Sequence, residues 1–267
     1  MSYFRRIIDN EEVSERAFKI TQLAIEISGS FYQAWHYRRH LFEKLQKDVN
    51  DELVFVTKVG LDNPKNYQMW SYRRELLALT NDYNRELQFL DTILQLDERN
   101  VHAWGFRLWV AERFNIFGTQ FEFVESYIRA NPRNNSAWHF RSILISKLCV
   151  SKIDDLIFVL CFVDDLLNDS CFEYLKSVCE LENCSEIKRK LVQVVKNEGI
   201  CVGIIKVLEK IFGLEEKNKL VIWCFGKLME IDEVRKEYWS DRMEKVKINE
   251  KELDEADKEF CEYFFIS

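Results

Sequence analysis

Four tryptophans that stand at nearly equal intervals constrain the fold more than any other feature of the chain. They are Trp35, Trp70, Trp104 and Trp138, and Phe172 holds the same place in a weaker fifth copy. Successive positions are separated by about 34 residues, and a period in this range is typical of a solenoid, in which helical hairpins pack on their neighbours. The sequence therefore predicts an all-α fold, an α-α superhelix of stacked hairpins with a repeat of about 34 residues.

Apolar residues outside the tryptophan motif repeat in the same register and predict a second helix in each unit. Leu53, Leu87 and Phe121 are separated by the same interval as the tryptophans. Asn63-Pro64 and Asn131-Pro132 mark boundaries between helices, because proline cannot continue a helix but is accepted near the start of one. Each unit is therefore predicted to be a two-helix hairpin.

The composition agrees with a chain of helices, since only 8 Gly and 2 Pro occur in 267 residues. We predict a single solenoid domain over residues 1–267. Clear repeats are expected at about 31–176 and a divergent helical part at 177–267. In that part, Glu180-Leu-Glu-Asn and Glu215-Glu-Lys-Asn are predicted loops.

The distribution of charge argues against nucleic acid as the main partner. Residues 1–150 carry 20 basic and 19 acidic side chains, whereas residues 151–267 carry 18 and 26. A nucleic-acid-binding protein would be expected to show a basic face. No run of about 18 apolar residues predicts a membrane span, and the first residues do not resemble a signal peptide. A cytoplasmic location is therefore the expectation.

The 8 cysteines all lie from Cys149 onward and none forms a CxxC pair. Without a secretory signal, we expect reduced thiols that pack as small apolar side chains. The pair Cys179 and Cys184 is too weak a signal to support a site. Cys261 does not lie in a prenylation box, because Phe264 occupies the position that the cysteine would need.

The residues around each tryptophan combine packing with polar chemistry. An arginine follows three positions after each of the four tryptophans and an aromatic residue two positions after, so the motif helix must be contacted on two sides.

Three asparagines are predicted helix N-caps, namely Asn66, Asn100 and Asn134, and Ser14 is another. The residues before those asparagines are basic, namely Lys65, Arg99 and Arg133. A cation at a helix start opposes the helix dipole, so this row suggests a phosphate ligand.

These motifs resemble a known family. The repeat Pro-x-Asn-Tyr-x-x-Trp-x-x-Arg, with Tyr3-Phe-Arg-Arg, Ser14-Glu-Arg-Ala-Phe-Lys and Arg235-Lys-Glu-Tyr-Trp239, is similar to the α subunit shared by protein farnesyltransferase and type I geranylgeranyltransferase. The resemblance implies an obligate heterodimer with a β subunit that carries zinc, the prenyl pocket and most catalytic groups. It also implies prenyl diphosphate and the CaaX C-termini of proteins as substrates, with Mg²⁺ expected for the holoenzyme and no cofactor bound by this chain.

The resemblance assigns roles to individual residues of the repeats. Arg99 matches the family lysine that reaches the prenyl diphosphate, and it is the expected catalytic residue of this chain. Val101 replaces a family tyrosine and removes a hydroxyl donor. Tyr67 and His102 match residues near the peptide substrate. The expected substrate-binding set is completed by residues of the same rows, namely Lys65, Asn100, Arg133 and Asn134.

Two alternatives remain open at the level of sequence. One is a protein-binding scaffold of the tetratricopeptide type, which shares the 34-residue period but expects Leu-Gly rather than Arg after the tryptophan. The other is the α subunit of the Rab prenyltransferase. The four histidines form no metal-binding pattern, and no serine or cysteine nucleophile has a recognisable base. The chain alone is therefore expected to be incomplete for catalysis, as a subunit would be.

Overall fold

The computed structural model describes residues 2–80, 82–180 and 183–246. Over these ranges the chain is helical and contains no strand, which confirms the predicted all-α class. The helices are α1 Ser2–Asp9, α2 Glu15–Ile27, α3 Tyr32–Lys44, α4 Val49–Asp62, α5 Tyr67–Leu77, α6 Asn84–Leu96, α7 Val101–Arg113, α8 Gln120–Ala130, α9 Asn135–Leu148, α10 Lys152–Leu160, α11 Asp169–Val178, α12 Cys184–Glu198, α13 Val202–Leu214, α14 Asn218–Ile231 and α15 Lys236–Glu244.

The chain divides into two compact units between Phe117 and Gly118. In the first unit, antiparallel neighbours form the hairpins α2/α3, α4/α5 and α6/α7, and the motif helices α3, α5 and α7 pack side by side. In the second unit, α8/α9 and α10/α11 form the same kind of hairpin, and α12 to α15 follow. The stacking of hairpins predicted from the period is thus confirmed within each unit. That residues 1–267 form one domain stays a prediction.

The divergent part contains the helices and loops that the sequence suggested. Glu180 and Asn183 lie between α11 and α12, while the two residues between them lie outside the described ranges. Glu215 and Lys217 connect α13 to α14. Among the described residues, no helix is long and apolar enough to cross a bilayer. The position of Cys261 also lies outside the described residues.

Each motif tryptophan closes the turn that precedes its own helix. The indole Nε1 of Trp70 donates to the carbonyl of Pro64 at 2.9 Å, and that of Trp104 donates to the carbonyl of Glu98 at 2.8 Å. Trp35 and Trp138 make the equivalent bond to the carbonyl six residues earlier. The tryptophan is therefore both a buried apolar anchor and a hydrogen-bond donor, as expected for a buried indole.

The motif arginine is buried and holds helices together through an ion pair. Arg73 donates from Nε and Nη2 to the two carboxylate oxygens of Glu86 on α6, at 2.6 and 2.9 Å, and from Nη1 to Thr57 on α4. Arg38 makes the same bidentate pair with Glu52. Because a planar guanidinium matches a carboxylate in this way, arginine suits this position better than lysine.

Candidate functional site

The predicted site residues of the first unit lie where motif helices α5 and α7 begin. Lys65 and Tyr67 flank the start of α5, and Arg99 and His102 flank the start of α7. Lys65, Tyr67 and Arg99 are exposed, whereas His102 is half-buried. We call this set the helix-start edge. The helix dipole favours an anion at such a position.

Asp97 contacts residues at the starts of both α5 and α7. Its Oδ1 accepts a hydrogen bond from the backbone N–H of Arg99 at 3.2 Å, and its Oδ2 lies 3.5 Å from Nζ of Lys65. The carboxylate therefore fixes the backbone from which the Arg99 side chain extends. It also partly neutralises Lys65, although the exposure of that lysine keeps the interaction weak.

Tyr67 and His102 form an aromatic pair on the same edge. Their ring centroids lie 4.4 Å apart and the rings are nearly perpendicular, at 82°. This edge-to-face geometry is the arrangement that aromatic pairs prefer. Tyr67 is 72% exposed, so its hydroxyl is accessible to a ligand. The structure therefore brings together two residues that the resemblance assigned separately to the peptide substrate. At the start of α7, Val101 is 67% exposed and offers no hydroxyl in its place.

The asparagines of the motif have the capping role predicted for them. Oδ1 of Asn100 accepts from the N–H groups of His102 and Ala103 at 3.1 and 3.0 Å, which satisfies two donors of the first turn. Its Nδ2 donates at 3.2 Å to the carbonyl of Pro64, the same carbonyl that accepts from Trp70. Asn100 is buried and uses both ends of its amide within the chain. A contact of Asn100 with substrate stays a prediction.

Asn66 follows the same pattern one repeat earlier. Its Oδ1 caps α5, and its Nδ2 donates to the carbonyl of Gly29 at 2.7 Å. Trp35 donates to that carbonyl as well. Each asparagine therefore links the start of its own helix to the turn of the preceding repeat. This link explains why the motif requires asparagine rather than the other capping residues, which lack the second donor.

The second unit holds Arg133 and Asn134 in the equivalent positions of its own first repeat. Arg133 donates from Nε and Nη2 to Asp165 at 2.8 and 2.7 Å, and these hydrogen bonds lower the pKa of the Asp165 carboxyl. Asn134 is buried and caps α9 through the N–H groups of Ser136 and Ala137. Substrate contacts of both residues stay predictions.

Sequence reasoning missed the acidic partners of these cations. Asp165 follows Arg133, and Asp97 follows Lys65, by nearly one full repeat. In the buried pairs, Glu52 follows Arg38 and Glu86 follows Arg73 at the shorter separations of 14 and 13. A search of the sequence for acids at these separations from each cation could have found the ion pairs. In each unit the motif helix starts therefore carry cations beside carboxylates rather than cations alone.

The described residues contain no group of three or more His, Cys, Asp and Glu side chains that could hold a metal ion. His36 and His40 lie one turn apart on α3, and their rings stack on Tyr32 and Tyr37 respectively. Seven cysteines are described, and all seven are free thiols. Burial raises the pKa of the Cys171 thiol to about 12, which makes it unreactive at neutral pH.

The repeats match a known family. The protein prenyltransferase alpha subunit repeat matches residues 14–45, 49–80, 83–114 and 118–148. These ranges correspond to the hairpins α2/α3, α4/α5, α6/α7 and α8/α9. The chain belongs to the protein prenyltransferase alpha subunit repeat family.

Relatives agree with this membership. Over 79 residues the chain is 38% identical to the protein farnesyltransferase/geranylgeranyltransferase type-1 subunit alpha of Candida albicans, covering 29% of this chain and 26% of the relative. Over 80 residues it is 34% identical to the protein of the same name from Schizosaccharomyces pombe, covering 30% and 27%. These alignments thus span about a quarter of the length of the curated relatives. Both names favour the shared type-1 α subunit over the Rab enzyme.

A solved structure extends the likeness to most of the chain. Candida albicans protein geranylgeranyltransferase-I, complexed with GGPP, matches with a TM-score of 0.81 and 26% identity, covering 92% of this chain and 88% of the matched chain. Because it covers 92% of the chain, the match includes most of the residues that follow the last family repeat at 118–148. Together with the repeat family, it favours a prenyltransferase α subunit over a tetratricopeptide scaffold.

Proposed function

We propose that this chain is the α subunit of a heterodimeric protein prenyltransferase. The enzyme would transfer a farnesyl or geranylgeranyl group from prenyl diphosphate to the cysteine of a C-terminal CaaX box. The observation that carries the proposal is the set of four family repeats, two of which place Lys65, Tyr67, Arg99 and His102 on one helix-start edge. The likeness to a geranylgeranyltransferase-I that was solved with GGPP supports the same activity.

The proposal requires a β subunit as an obligate partner. In the proposed heterodimer that subunit holds zinc, which supplies a cysteine thiolate at neutral pH when bound. The β subunit also supplies the prenyl pocket and most catalytic groups, and it therefore determines whether a C15 or a C20 group is transferred. Mg²⁺ is proposed as a further ion of the holoenzyme, and the cytoplasm as its location.

The residues of the α chain would act on the leaving group. In the transfer, a carbon–sulfur bond forms between the thiolate and C1 of the isoprenoid, the carbon–oxygen bond to diphosphate breaks, and diphosphate takes the electron pair. Negative charge therefore grows on the diphosphate oxygens in the transition state. Arg99 extends from the start of α7, where its guanidinium and the helix dipole both favour that charge.

The neighbouring cations are predicted to contribute less than Arg99. Lys65 lies 3.5 Å from a carboxylate oxygen of Asp97, and Arg133 donates from two nitrogens to Asp165. Each of these carboxylates would have to be displaced or shared before its cation could bind diphosphate. Lys65 and Arg133 are therefore each engaged with a carboxylate of the chain, and the resemblance assigns the diphosphate contact to Arg99 rather than to these flanking cations.

The exposed pair of Tyr67 and His102 suits a different part of the substrate. A hydroxyl and an imidazole on one edge offer hydrogen-bond donors that a carboxylate accepts. We propose that the pair binds near the C-terminal carboxylate of the peptide. Because each ring orients the other, loss of either ring is expected to raise KM for the peptide more than it lowers kcat.

The first experiment tests the assembly. The chain is co-expressed with a candidate β subunit and analysed by gel filtration, where a 1:1 complex that prenylates a CaaX peptide is expected. A complex that forms but has no transferase activity with farnesyl or geranylgeranyl diphosphate would favour the scaffold alternative.

The second experiment tests Arg99 in the assembled enzyme. Arg99→Ala is expected to slow the single-turnover reaction because transition-state stabilisation is lost. The loss should be about 3–4 kcal/mol at most, and about 1 kcal/mol if cations of the β chain compensate. Arg99→Lys restores the residue usual in the family and should retain most activity. Lys65→Ala and Arg133→Ala are the matched controls. Three alanine variants that all react at the parental rate in an intact heterodimer would remove Arg99 from the mechanism.

A further inference from the structure

Two cysteines of the second compact unit meet where α11 ends and α12 begins. Cys179 directly follows the last residue of α11, and Cys184 is the first residue of α12. Their side chains share a hydrogen bond, in which the Cys179 thiol donates to the Cys184 sulfur. The Cys184 thiol donates in turn to the carbonyl of Glu180 at 3.1 Å. The fold therefore holds two thiols in direct contact, although they form no CxxC motif.

Asn183 fixes the connection that carries the two cysteines. Its Oδ1 accepts from the backbone N–H of Glu180 at 2.9 Å, and its Nδ2 donates to the carbonyl of Val178 at 3.2 Å. The backbone N–H of Asn183 also donates to the carbonyl of Glu180 at 3.1 Å. Val178 is the last residue of α11 and Asn183 directly precedes α12, so these bonds tie the two helix ends together. The contact between the sulfurs is therefore supported by the local backbone.

Cationic side chains and a helix start lie next to Cys184. Lys188 stands one turn further along α12, is fully buried and lies 3.0 Å from an oxygen of Glu215. Lys217 lies 3.0 Å from the same carboxylate. A helix start and nearby ammonium groups both favour the thiolate form of cysteine. The surroundings of Cys184 are therefore those of a reactive thiol rather than of an inert apolar side chain.

The two thiols are unequal in acidity. The hydrogen bond from Cys179 lowers the pKa of the Cys184 thiol, and the charges of Lys188 and Lys217 add to this effect, while burial and the charge of Glu215 oppose it. The same hydrogen bond, together with burial, raises the pKa of the Cys179 thiol. Cys184 is therefore the nucleophile of the pair, and Cys179 is the hydrogen-bond donor beside it.

An open groove brings solvent to the pair. The groove runs between α11 and α13 and has a volume of about 750 Å³, and Cys179 lies in its wall beside Ser177 and Leu214. Cys179 is 4% exposed and Cys184 is 1% exposed, so bulky reagents are excluded from the sulfurs. Hydrogen peroxide is close to water in size and can enter from the groove at Cys179. The site therefore suits a peroxide as its oxidant.

We propose that Cys179 and Cys184 are a redox modification site, a dithiol that a peroxide oxidises reversibly to an intramolecular disulfide. The proposal does not rest on the proposed function, since it concerns residues outside the helix-start edge. The disulfide would join the end of α11 covalently to the start of α12.

The oxidation proceeds in two steps. The Cys184 thiolate attacks one oxygen of hydrogen peroxide, so that a sulfur–oxygen bond forms, the oxygen–oxygen bond breaks, and the hydroxide that leaves takes up a proton. The Cys179 sulfur then attacks the sulfenic acid on Cys184, where a sulfur–sulfur bond forms and the hydroxyl leaves as water with the Cys179 proton. Two electrons thus pass from the two thiols to one peroxide, which becomes two water molecules.

The first test treats the purified full chain with hydrogen peroxide, unfolds it, alkylates the remaining thiols and analyses the tryptic peptides by mass spectrometry. Both cysteines lie in the single tryptic peptide 177–188. The expected result is a loss of two hydrogens and of both alkylation sites in this peptide, which dithiothreitol reverses. Cys149 and Cys161 are exposed and report the dose of oxidant.

Two results would overturn the proposal in this test. One is a peptide 177–188 that keeps both thiols at a dose that oxidises Cys149 and Cys161. The other is a sulfinic acid at Cys179 or Cys184 without the disulfide, because it would show that the two sulfurs are not placed to react with each other.

The second test separates the roles of the two cysteines. Cys179→Ser keeps a hydrogen-bond donor beside Cys184 but removes the second thiol, so a sulfenic acid should accumulate on Cys184 and be trapped by dimedone once the oxidant is removed and the chain is unfolded. Cys184→Ser removes the nucleophile, and Cys179 should lose its reaction at the same dose. Circular dichroism checks that both variants are folded. A sulfenic acid on Cys179 alone, or on neither cysteine, would refute the mechanism.

The third test asks whether the fold, and not closeness in sequence, makes the pair reactive. The rate of disulfide formation is measured in buffer and in concentrated urea, each relative to the oxidation of Cys149 and Cys161. Closure should be severalfold faster in the folded chain, because urea removes the helix start and the ammonium groups from Cys184. A relative rate in urea that equals or exceeds that of the folded chain would overturn the proposal.

Discussion

The interior of the hairpins and the helix-start edge contain the same kinds of charge in opposite surroundings. Arg73 and Glu86 have side chains that are each 1% exposed, whereas Lys65 and Asp97 are 73% and 33% exposed. The buried pair is bidentate at 2.6 and 2.9 Å, and the edge pair is a single contact at 3.5 Å. A cation of the motif is therefore structural where it is enclosed and accessible to ligands where a helix begins. Position within the repeat, and not residue type, separates the two roles.

Breaking a buried pair should give the largest effect. Glu86→Ala leaves the Arg73 guanidinium enclosed without its carboxylate, so we expect a loss of about 3–5 kcal/mol in the free energy of unfolding. Urea unfolding monitored by circular dichroism measures this loss in the free energy of unfolding. The matched control is the double variant Arg73→Met with Glu86→Leu, which removes both charges and is expected to recover most of the loss. A single variant that costs under about 1 kcal/mol, the value of an exposed pair, would show that the interior is hydrated.

The buried pairs also explain how much of the fold could be predicted. The tryptophan period, the capping asparagines and the hairpin boundaries were all visible in the sequence, because packing and capping depend on residues that are close in the chain. The acids that neutralise the motif arginines were missed. For Arg38, Arg73 and Arg141 an acid lies on the first helix of the next hairpin, whereas Arg107 pairs with Asp91 on α6 of its own hairpin. Only a search at the specific separation of each arginine from its acid would have found them.

The helix-start edge was predicted less completely. The sequence identified Lys65, Arg99 and Arg133 as a row, but not the aspartates that stand beside Lys65 and Arg133. An exposed ion pair leaves no periodic apolar signature, since both partners remain in water. The Tyr67 and His102 contact joins residues of successive repeats and follows from the period only after the helices are known to pack in register.

A capping asparagine lies between the two regions and should have an intermediate effect. Asn66→Ala removes the cap of α5 and the donor to the Gly29 carbonyl, so we expect a loss of about 1–2 kcal/mol in the free energy of unfolding. Thermal unfolding checks the value. Asn66→Ser keeps a capping oxygen but cannot reach Gly29, and it should recover about half of the loss. If serine were no better than alanine, the link to the preceding repeat would carry the whole effect.

A buried tyrosine tests the interior of the second unit at high pH. Tyr174 donates its hydroxyl hydrogen bond to Asp155, the carboxylate that also accepts from Arg141. Burial, followed by the charge of Asp155, raises the pKa of Tyr174 well above its ordinary value. The stability that this tyrosine contributes is therefore present below a pH of about 10 and is lost as the pH rises further.

Tyr174→Phe should lower the free energy of unfolding by about 1 kcal/mol at pH 7 and reduce its decline above about pH 10. Denaturant unfolding at pH 7, 9 and 11 provides the comparison. Burial also raises the pKa of Tyr72 in the first unit, so part of the alkaline decline should remain in the variant. An unchanged alkaline slope would mean that Tyr174 does not remain protonated in the folded chain.

The edge pair of the second unit should give the smallest effect on stability. Arg133 and Asp165 have side chains that are 49% and 38% exposed, and water screens an ion pair at such a site. Arg133→Ala should therefore lower the free energy of unfolding at pH 7 by less than Asn66→Ala does. Asp165→Asn should reproduce that loss.

The pH dependence of this small effect identifies its source. The hydrogen bonds from Arg133 lower the pKa of Asp165, so the contribution is present above the ordinary aspartate value of about 4 and disappears as the pH falls through the lowered value. Unfolding measured at pH 7 and at pH 3 should show the difference between parent and Arg133→Ala shrinking in acid. A loss as large as that of Glu86→Ala, which exceeds what exposed pairs contribute, would place Arg133 among the structural arginines. A cost that grows in acid would do the same, and either result would end the distinction between edge and interior.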